Sequence, residues 1–305
     1  RGRGLREGEY PLYSFTHFRV WTVQRSLSMS PLPHLTGSHL IAPYLRWLGA
    51  RIGDGCHIGT AQIPLPSLID LGDNVTVGYE THLRTFEIQD GMLHLGRVTL
   101  GDGAIVGASC VLAGDCSMGT DSVLQAQSLL RHGDHVPARQ EWAGSPATPQ
   151  PPARTDPVLA TMRDCDEAPR EWAPDLRRKL LAGITFLELM PIIATVPIMM
   201  LVWWALLTYD HMAALWVTLG SGLIFVVSTC ALILWFRRFA MQRTPVGVHH
   251  MRSELGVEKW YSDKLLEASL EFTNSLYGTL YTPHWLRMLG AHVGKGAEIA
   301  HLWFR

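Results

Sequence analysis

An aliphatic side chain recurs at every sixth position in one stretch of the chain: Leu100, Val106, Leu112, Met118, Leu124 and Leu130. Two residues before each stands a small or short side chain, namely Val98, Ala104, Cys110, Cys116, Ser122 and Ser128. A helix repeats its apolar face at about 3.6 residues and a strand at about 2, so neither explains this period. A coil of three short strands per turn does, with one aliphatic residue from each side pointing inward. The pattern predicts a parallel β-helix built from hexapeptide repeats.

The same ladder extends in both directions. Residues 48–147 form the predicted coil, opening at Leu48-Gly49-Ala50-Arg51-Ile52-Gly53 and running through Ile58. Ile63-Pro64-Leu65-Pro66 distorts one corner, and register resumes at Leu71, Val77 and Leu83. Asp54-Gly55 and Asp102-Gly103 read as corners, where Gly takes φ > 0 without strain. Residues 84–95 break the period and are expected to leave the coil as a loop, the kind of excursion that usually carries function. Residues 1–47 are a lead-in: Tyr10-Pro11 opens a segment, 18–29 reads as an amphipathic helix, and Ser30-Pro31-Leu32-Pro33 ends it.

Beyond the coil the pattern changes. Residues 148–179 are Pro-rich and read as a linker. Two apolar runs follow, 180–207 and 212–236, each about as long as the roughly 20 residues that span a bilayer core. Thr208-Tyr209-Asp210-His211 separates them, and Arg177-Arg178-Lys179 and Arg237-Arg238 flank the outer ends. Residues 180–236 are therefore expected to be a transmembrane hairpin with both flanks in the cytoplasm. Pro191 and Pro197 are tolerated in such spans, and Glu188 reads as near enough to the interface to reach water, or else as facing a partner or cavity.

Residues 237–305 begin to repeat the start of the chain. Leu35, Gly37, Leu45-Arg46, Gly49-Ala50, Gly53, Gly55 and Ile58 align with Leu276, Gly278, Leu286-Arg287, Gly290-Ala291, Gly294, Gly296 and Ile299. The expected architecture is coil, hairpin, and the start of a second coil.

Composition narrows the classes. The 305 residues are 47% hydrophobic and 17% charged, with a formal net charge of −1. No basic run interleaved with aromatics is present, so no nucleic-acid partner is expected. The five cysteines include no Cys-x-x-Cys pair, and Cys56, Cys110 and Cys116, at the small inward position of the repeat, read as buried thiols in a reducing compartment. The chain opens at Arg1 and stops inside a repeat, as a fragment would.

Several stretches together resemble the tandem C-terminal domains of the Pls/PosA nonribosomal peptide synthetases, the ε-poly-lysine synthetase type. They are Tyr10-Pro11 ahead of Arg19-Val20-Trp21, the Leu45–Gly53 stretch around Trp47, Trp142-Ala143-Gly144-Ser145-Pro146-Ala147, and Thr273-Asn274-Ser275-Leu276-Tyr277 with Tyr281-Thr282-Pro283. The resemblance implies a trimer-forming, LpxA-like left-handed coil, acting alone or with other copies in the same chain. It implies a multi-pass location in a bacterial inner membrane, with the soluble domains cytoplasmic. It implies amide-bond formation between an aminoacyl thioester and an amino-acid or peptide amine. The thioester would ride on the phosphopantetheine arm of an upstream carrier domain, not on this chain. A pure scaffold and a coenzyme A-dependent acetyltransferase remain the alternatives.

Amide formation needs a base for the amine and donors for the oxyanion. His82, one place before an inward Leu, should point outward where the excursion begins, and is the first candidate base; the plain alternative is a surface histidine. His94 is a candidate second base or orienting group, and Glu87 or Asp90 a candidate for holding His82 or the amine. His57 points outward nearer the first turn. Gly144, Ser145 and Pro146 resemble the Gly-x-Pro-Ala exit motif of hexapeptide acetyltransferases, near a pantetheine arm, and equally suit a tight exit turn. His132 and His135 are read as solvated and beyond the coil, with the wrong gap for a three-histidine zinc site, so no metal is expected.

Overall fold

The computed structural model describes residues 5–151, 172–240, 249–272, 279–297 and 299. They belong to two compact units, Arg1–Trp172 and Ala173–Arg305. Parts of the sequence reading lie outside the described residues: most of the Pro-rich stretch (152–171), Thr273 to Tyr277, and Gly278.

The first unit is a parallel β-helix. Its first face stacks Arg51–Ile52, Ile69–Leu71, Val98–Leu100, Ser117–Met118 and His135–Val136. The second stacks His57–Ile58, Thr76–Val77, Ile105–Val106, Val123–Leu124 and Glu141–Ala143. The third stacks His82–Leu83, Val111–Leu112 and Leu129–Leu130. Every ladder residue from Leu100 to Val136 is buried, and so is the small residue two places before each from Val98 to Ser128. The period of six thus reports the inside of the coil.

Corners repeat with the same period. Gly103, Ser109, Asp115, Asp121, Gln127, Gly133 and Arg139 all have positive φ. Most of these are not glycine, although a left-handed conformation costs an L-residue about 1–2 kcal/mol. Rung-to-rung hydrogen bonding across most of these corners, such as Asp121 N to Asp102 O at 2.8 Å, holds them there.

The buried thiols fit this interior. Burial pushes the Cys116 thiol up to about 12, aided by the nearby Asp134 and Asp115 carboxylates, and burial also raises Cys110. An unfolded thiol titrates near 8.5. Above that pH the unfolded chain gives up a proton the folded chain keeps, so stability is full below about pH 8.5 and falls as pH rises toward about 12. Native Cys116 should accordingly resist iodoacetamide at pH 8 and react only on denaturation, as mass spectrometry of the alkylated protein would show.

The excursion at 84–95 is not an irregular loop. Phe86–Gln89 and Met92–Leu95 form an antiparallel hairpin closed by Asp90-Gly91, and Gly8–Pro11 adds a third strand beside Met92–Leu95. Asp-Gly with φ of 50° and 74° is the two-residue turn that matches strand twist. Leu93 and Leu95 turn one face of the hairpin onto Leu5, Val20, Leu65 and Leu68. The lead-in helix, Phe15–Ser28, contributes Val20 to this cluster while Phe15, Phe18 and Trp21 stay exposed. It starts at Phe15 because the Ser14 side chain accepts from His17 N.

Other boundaries move for local reasons. Helix Ile41–Leu48 takes Leu48 from the expected start of the coil, and Gly49 ends it at φ 111°. His132 and His135 lie within the last turns of the coil, which continues to Glu141–Ala143, and not beyond it. Thr148–Pro149 pairs back antiparallel on Glu141–Ala143, so the linker starts later than 148.

The second unit contains helix Pro174–Thr208, which takes the last residues assigned to the linker. Pro174–Thr208 and Ser221–Arg238 are long and apolar enough to cross a membrane. The run 212–236 is interrupted: His211–Leu219 and Ser221–Ala240 meet at Gly220, a poor helix former. Asp210 caps the shorter helix by accepting from Ala213 N. Helix Glu254–Phe272 packs on the long helix at Gly183, where the Tyr261 ring fills the space of a side chain and its hydroxyl donates to Lys179 O.

The sequence repeat is also a repeat of local geometry. Arg46 donates from Nε to Ile52 O (2.8 Å) and from Nη2 to Gly53 O (2.6 Å). Arg287 donates from Nε to Val293 O (3.0 Å) and from Nη2 to Gly294 O (2.8 Å). Gly49 and Gly290 share a left-handed φ, as do Gly55 and Gly296.

Candidate functional site

Two neighbouring surfaces of the coil hold the chemistry-bearing residues. The third face carries His82, whose side chain is exposed and makes no hydrogen bond or ion pair among the described residues. Its backbone is fixed by His82 N to Cys110 O at 2.8 Å, and Leu83 beside it is fully buried. The imidazole therefore stands out from a rigid rung.

The exit motif closes the top of this same face. Leu129 N donates to Gly144 O (2.9 Å) and Ala147 N donates to Leu129 O (2.8 Å). Ser128 Oγ accepts from Gly144 N at 3.1 Å. His82, Val111, Leu129 and the Gly144 turn are thus successive rungs, and at roughly 4.8 Å per rung His82 lies about 14 Å from the turn. Gly144 has φ 105°, which only glycine adopts freely, so the turn presents bare backbone beside Ser145 and Pro146.

The second surface is the corner from which the hairpin leaves. Glu9, His94 and Glu87 lie directly opposite one another on three adjacent strands, which puts their side chains on one side of the small sheet. That side faces the coil corner: His94 Nε2 lies 3.5 Å from Asp115 Oδ2, and His132 Nδ1 lies 3.7 Å from the same oxygen. The two imidazole rings meet edge to face at 4.6 Å. Asp90 is elsewhere, at the hairpin tip, where φ 50° gives it a turn-forming role.

The structure therefore brings His94 and Glu87 together and leaves His82 and Asp90 outside that group. His132, read from the sequence as solvated, joins this group, and Asp115 was not singled out because it comes from a different turn. Stacking one coil turn on the next would have found them: Gly96 sits against Gly114, and a Cβ at Gly96 would lie 2.7 Å from Asp115 N, so the hairpin base must hug this corner. His57 lies on the second face, its ring edge-on to Tyr79 at 6.5 Å. His135 accepts or donates with Ser117 Oγ at 2.8 Å.

Comparison with known proteins bears on the whole chain. No family model matches it. Delta-poly-L-ornithine synthetase of Acinetobacter baumannii (strain AB307-0294) is 28% identical over 307 aligned residues, covering 97% of the chain. The chain resembles the Pls-type synthetases. It spans 23% of the length of that relative, and the match takes in both the coil unit and the apolar helices. Solved structures similar to it are hexapeptide-type acetyltransferases. A maltose O-acetyltransferase from Clostridium difficile 630 is 15% identical, covering 47% of this chain and 91% of its own, with a TM-score of 0.36. A hexapeptide-repeat acetyltransferase from Vibrio cholerae, complexed with acetyl coenzyme A, is 16% identical over 47% of this chain, with a TM-score of 0.37. A serine acetyltransferase from Neisseria gonorrhoeae is 25% identical, covering 34% of this chain and 40% of its own, with a TM-score of 0.28.

Proposed function

We propose that the coil forms amide bonds by acyl or aminoacyl transfer from a carrier-bound thioester, as part of a membrane-bound poly-amino-acid synthetase of the nonribosomal type. One observation carries this reading: the match to a poly-ornithine synthetase runs through coil and apolar helices alike, not through the coil alone.

The third face supplies the route. The phosphopantetheine arm of an upstream carrier domain enters past the bare backbone of Gly144, flanked by Ser145 and Pro146, and runs down the face toward His82. His82 accepts a proton from the incoming ammonium. The freed nitrogen lone pair attacks the thioester carbonyl, the C–N bond forms and the C–S bond breaks; the leaving thiolate takes the second proton from the now cationic nitrogen, and His82 releases the first to water. Glu87 stands on the neighbouring hairpin as a carboxylate for the positively charged substrate end.

The two apolar helices form a membrane hairpin under this proposal. Its outer ends carry Arg177, Arg178 and Lys179 on one side and Arg237 and Arg238 on the other, a charge bias that supports cytoplasmic flanks in a bacterial inner-membrane protein. The repeated Arg46 and Arg287 geometry supports reading the end of the chain as the start of a second left-handed coil, and several such coils in one chain, or three chains, would complete a trimer.

The donor decides between this reading and a coenzyme A acetyltransferase. Full-length protein in detergent should form amide from a carrier loaded with its amino acid and leave acetyl coenzyme A untouched. Turnover of acetyl coenzyme A with no transfer from the carrier would favour the acetyltransferase. Transfer from neither would leave the coil a scaffold.

A further inference from the structure

We propose that His94, Asp115 and His132 form a zinc site that pins the hairpin to the corner of the coil, replacing the expectation that the chain holds no metal. The proposal is independent of the transfer chemistry on the third face. One ligand atom from each residue lies within 4.8 Å of the other two. Asp115 Oδ2 is the hub, 3.5 Å from His94 Nε2 and 3.7 Å from His132 Nδ1.

These separations are too long for charge-assisted hydrogen bonds, which run at about 2.7–2.9 Å. They suit the edges of a zinc tetrahedron, where bonds of about 2.0–2.1 Å put neighbouring ligands about 3.3–3.4 Å apart. An octahedral ion with similar bonds would draw them to about 3.0 Å. Two imidazoles and one carboxylate are also a donor set that zinc accepts.

A second observation points to a missing partner. His94 Nε2 is shielded from solvent and has no hydrogen-bond partner. Leaving a buried polar atom unsatisfied is unfavourable, and a metal bond would satisfy it.

The surrounding groups hold the ligands ready. Asp115 Oδ1 accepts from Arg97 N at 2.9 Å, which turns Oδ2 toward both histidines. Glu9 Oε1 lies 3.5 Å from His94 Nδ1, on the ring's other nitrogen, the side on which an outer carboxylate of a metal-bound imidazole would stand. Arg97 Nε in turn donates to Glu7 Oε1 at 2.5 Å, tying the strand that carries Glu9 to the same corner. His132 is half exposed, so the fourth coordination position opens to water.

The test uses full-length protein in detergent, stripped with chelator and then titrated with Zn²⁺ or Co²⁺. We expect this corner to account for one equivalent of zinc, and the Co²⁺ form to show the intense visible absorption of tetrahedral coordination. Asp115→Asn keeps a residue tolerant of positive φ and an acceptor for Arg97 N; His132→Ala removes one ligand from the surface. Each should lower zinc affinity at least 10-fold and abolish the Co²⁺ band, whereas His135→Ala should leave both intact. Absence of bound metal, or metal retained unchanged in both Asp115→Asn and His132→Ala with native circular dichroism, would overturn the site.

Discussion

Replacing His82 by alanine in the full synthetase should lower amide formation by about 10²–10⁴-fold, the usual contribution of a positioned general base. Loading of the carrier should be unchanged, because the loading reactions need nothing on the third face. The magnitude follows from the placement of the side chain. His82 is exposed, free of hydrogen bonds and ion pairs among the described residues, and anchored on both sides by inward-facing Thr81 and Leu83. Removing its imidazole therefore leaves the coil intact, and a fall in product cannot be assigned to unfolding. The loss should also shrink as pH is raised, because a deprotonated amine needs no base. A scaffold would show no change in product at any pH.

The second large effect is on stability. Leu112→Ala should cost about 2–5 kcal/mol, the range for emptying a fully buried leucine site. Leu112 is completely buried and sits between Leu83 and Leu130 on the inside of the third face. The coil is only as wide as its facing side chains, so neighbouring rungs have little room to collapse into the cavity. Ile105→Ala makes the contrast, because Ile105 points outward from the preceding strand and is exposed. Its loss should stay near 0.5 kcal/mol. Hydrogen exchange of the coil amides in the intact protein measures both, and equal effects would mean that the inward ladder is not the core.

Much of this was legible in sequence because a β-helix is a local code. Leu100 to Leu130 repeat at a fixed interval, and each inward residue packs on its equivalent in the next turn, so periodicity alone places it. His82 could be put on the outer face by the same rule. The hairpin was less legible, since 84–95 simply breaks the period. Asp90-Gly91 between alternating residues was the available signal, and Leu93 and Leu95 were its buried half. The grouping of His94 with Asp115 and His132 was hidden for another reason. The period of the coil puts Asp115 and His132 on stacked corners, but the position of His94 depends on how far the hairpin base leans over them, which the contact of Gly96 with Gly114 sets. The strand Gly8–Pro11 that brings Glu9 to His94 is likewise a long-range pairing.

The central claim is that carrier-bound thioester reaches the third face. A carrier whose phosphopantetheine arm bears a bromoacetyl group would place an electrophile where the thioester carbonyl sits. Mass spectrometry of the full-length protein after reaction should find alkylation at His82, lost in His82→Ala and suppressed by carrier loaded with the natural aminoacyl group. Labelling confined to other faces of the coil, or spread evenly over exposed histidines such as His135, would contradict it.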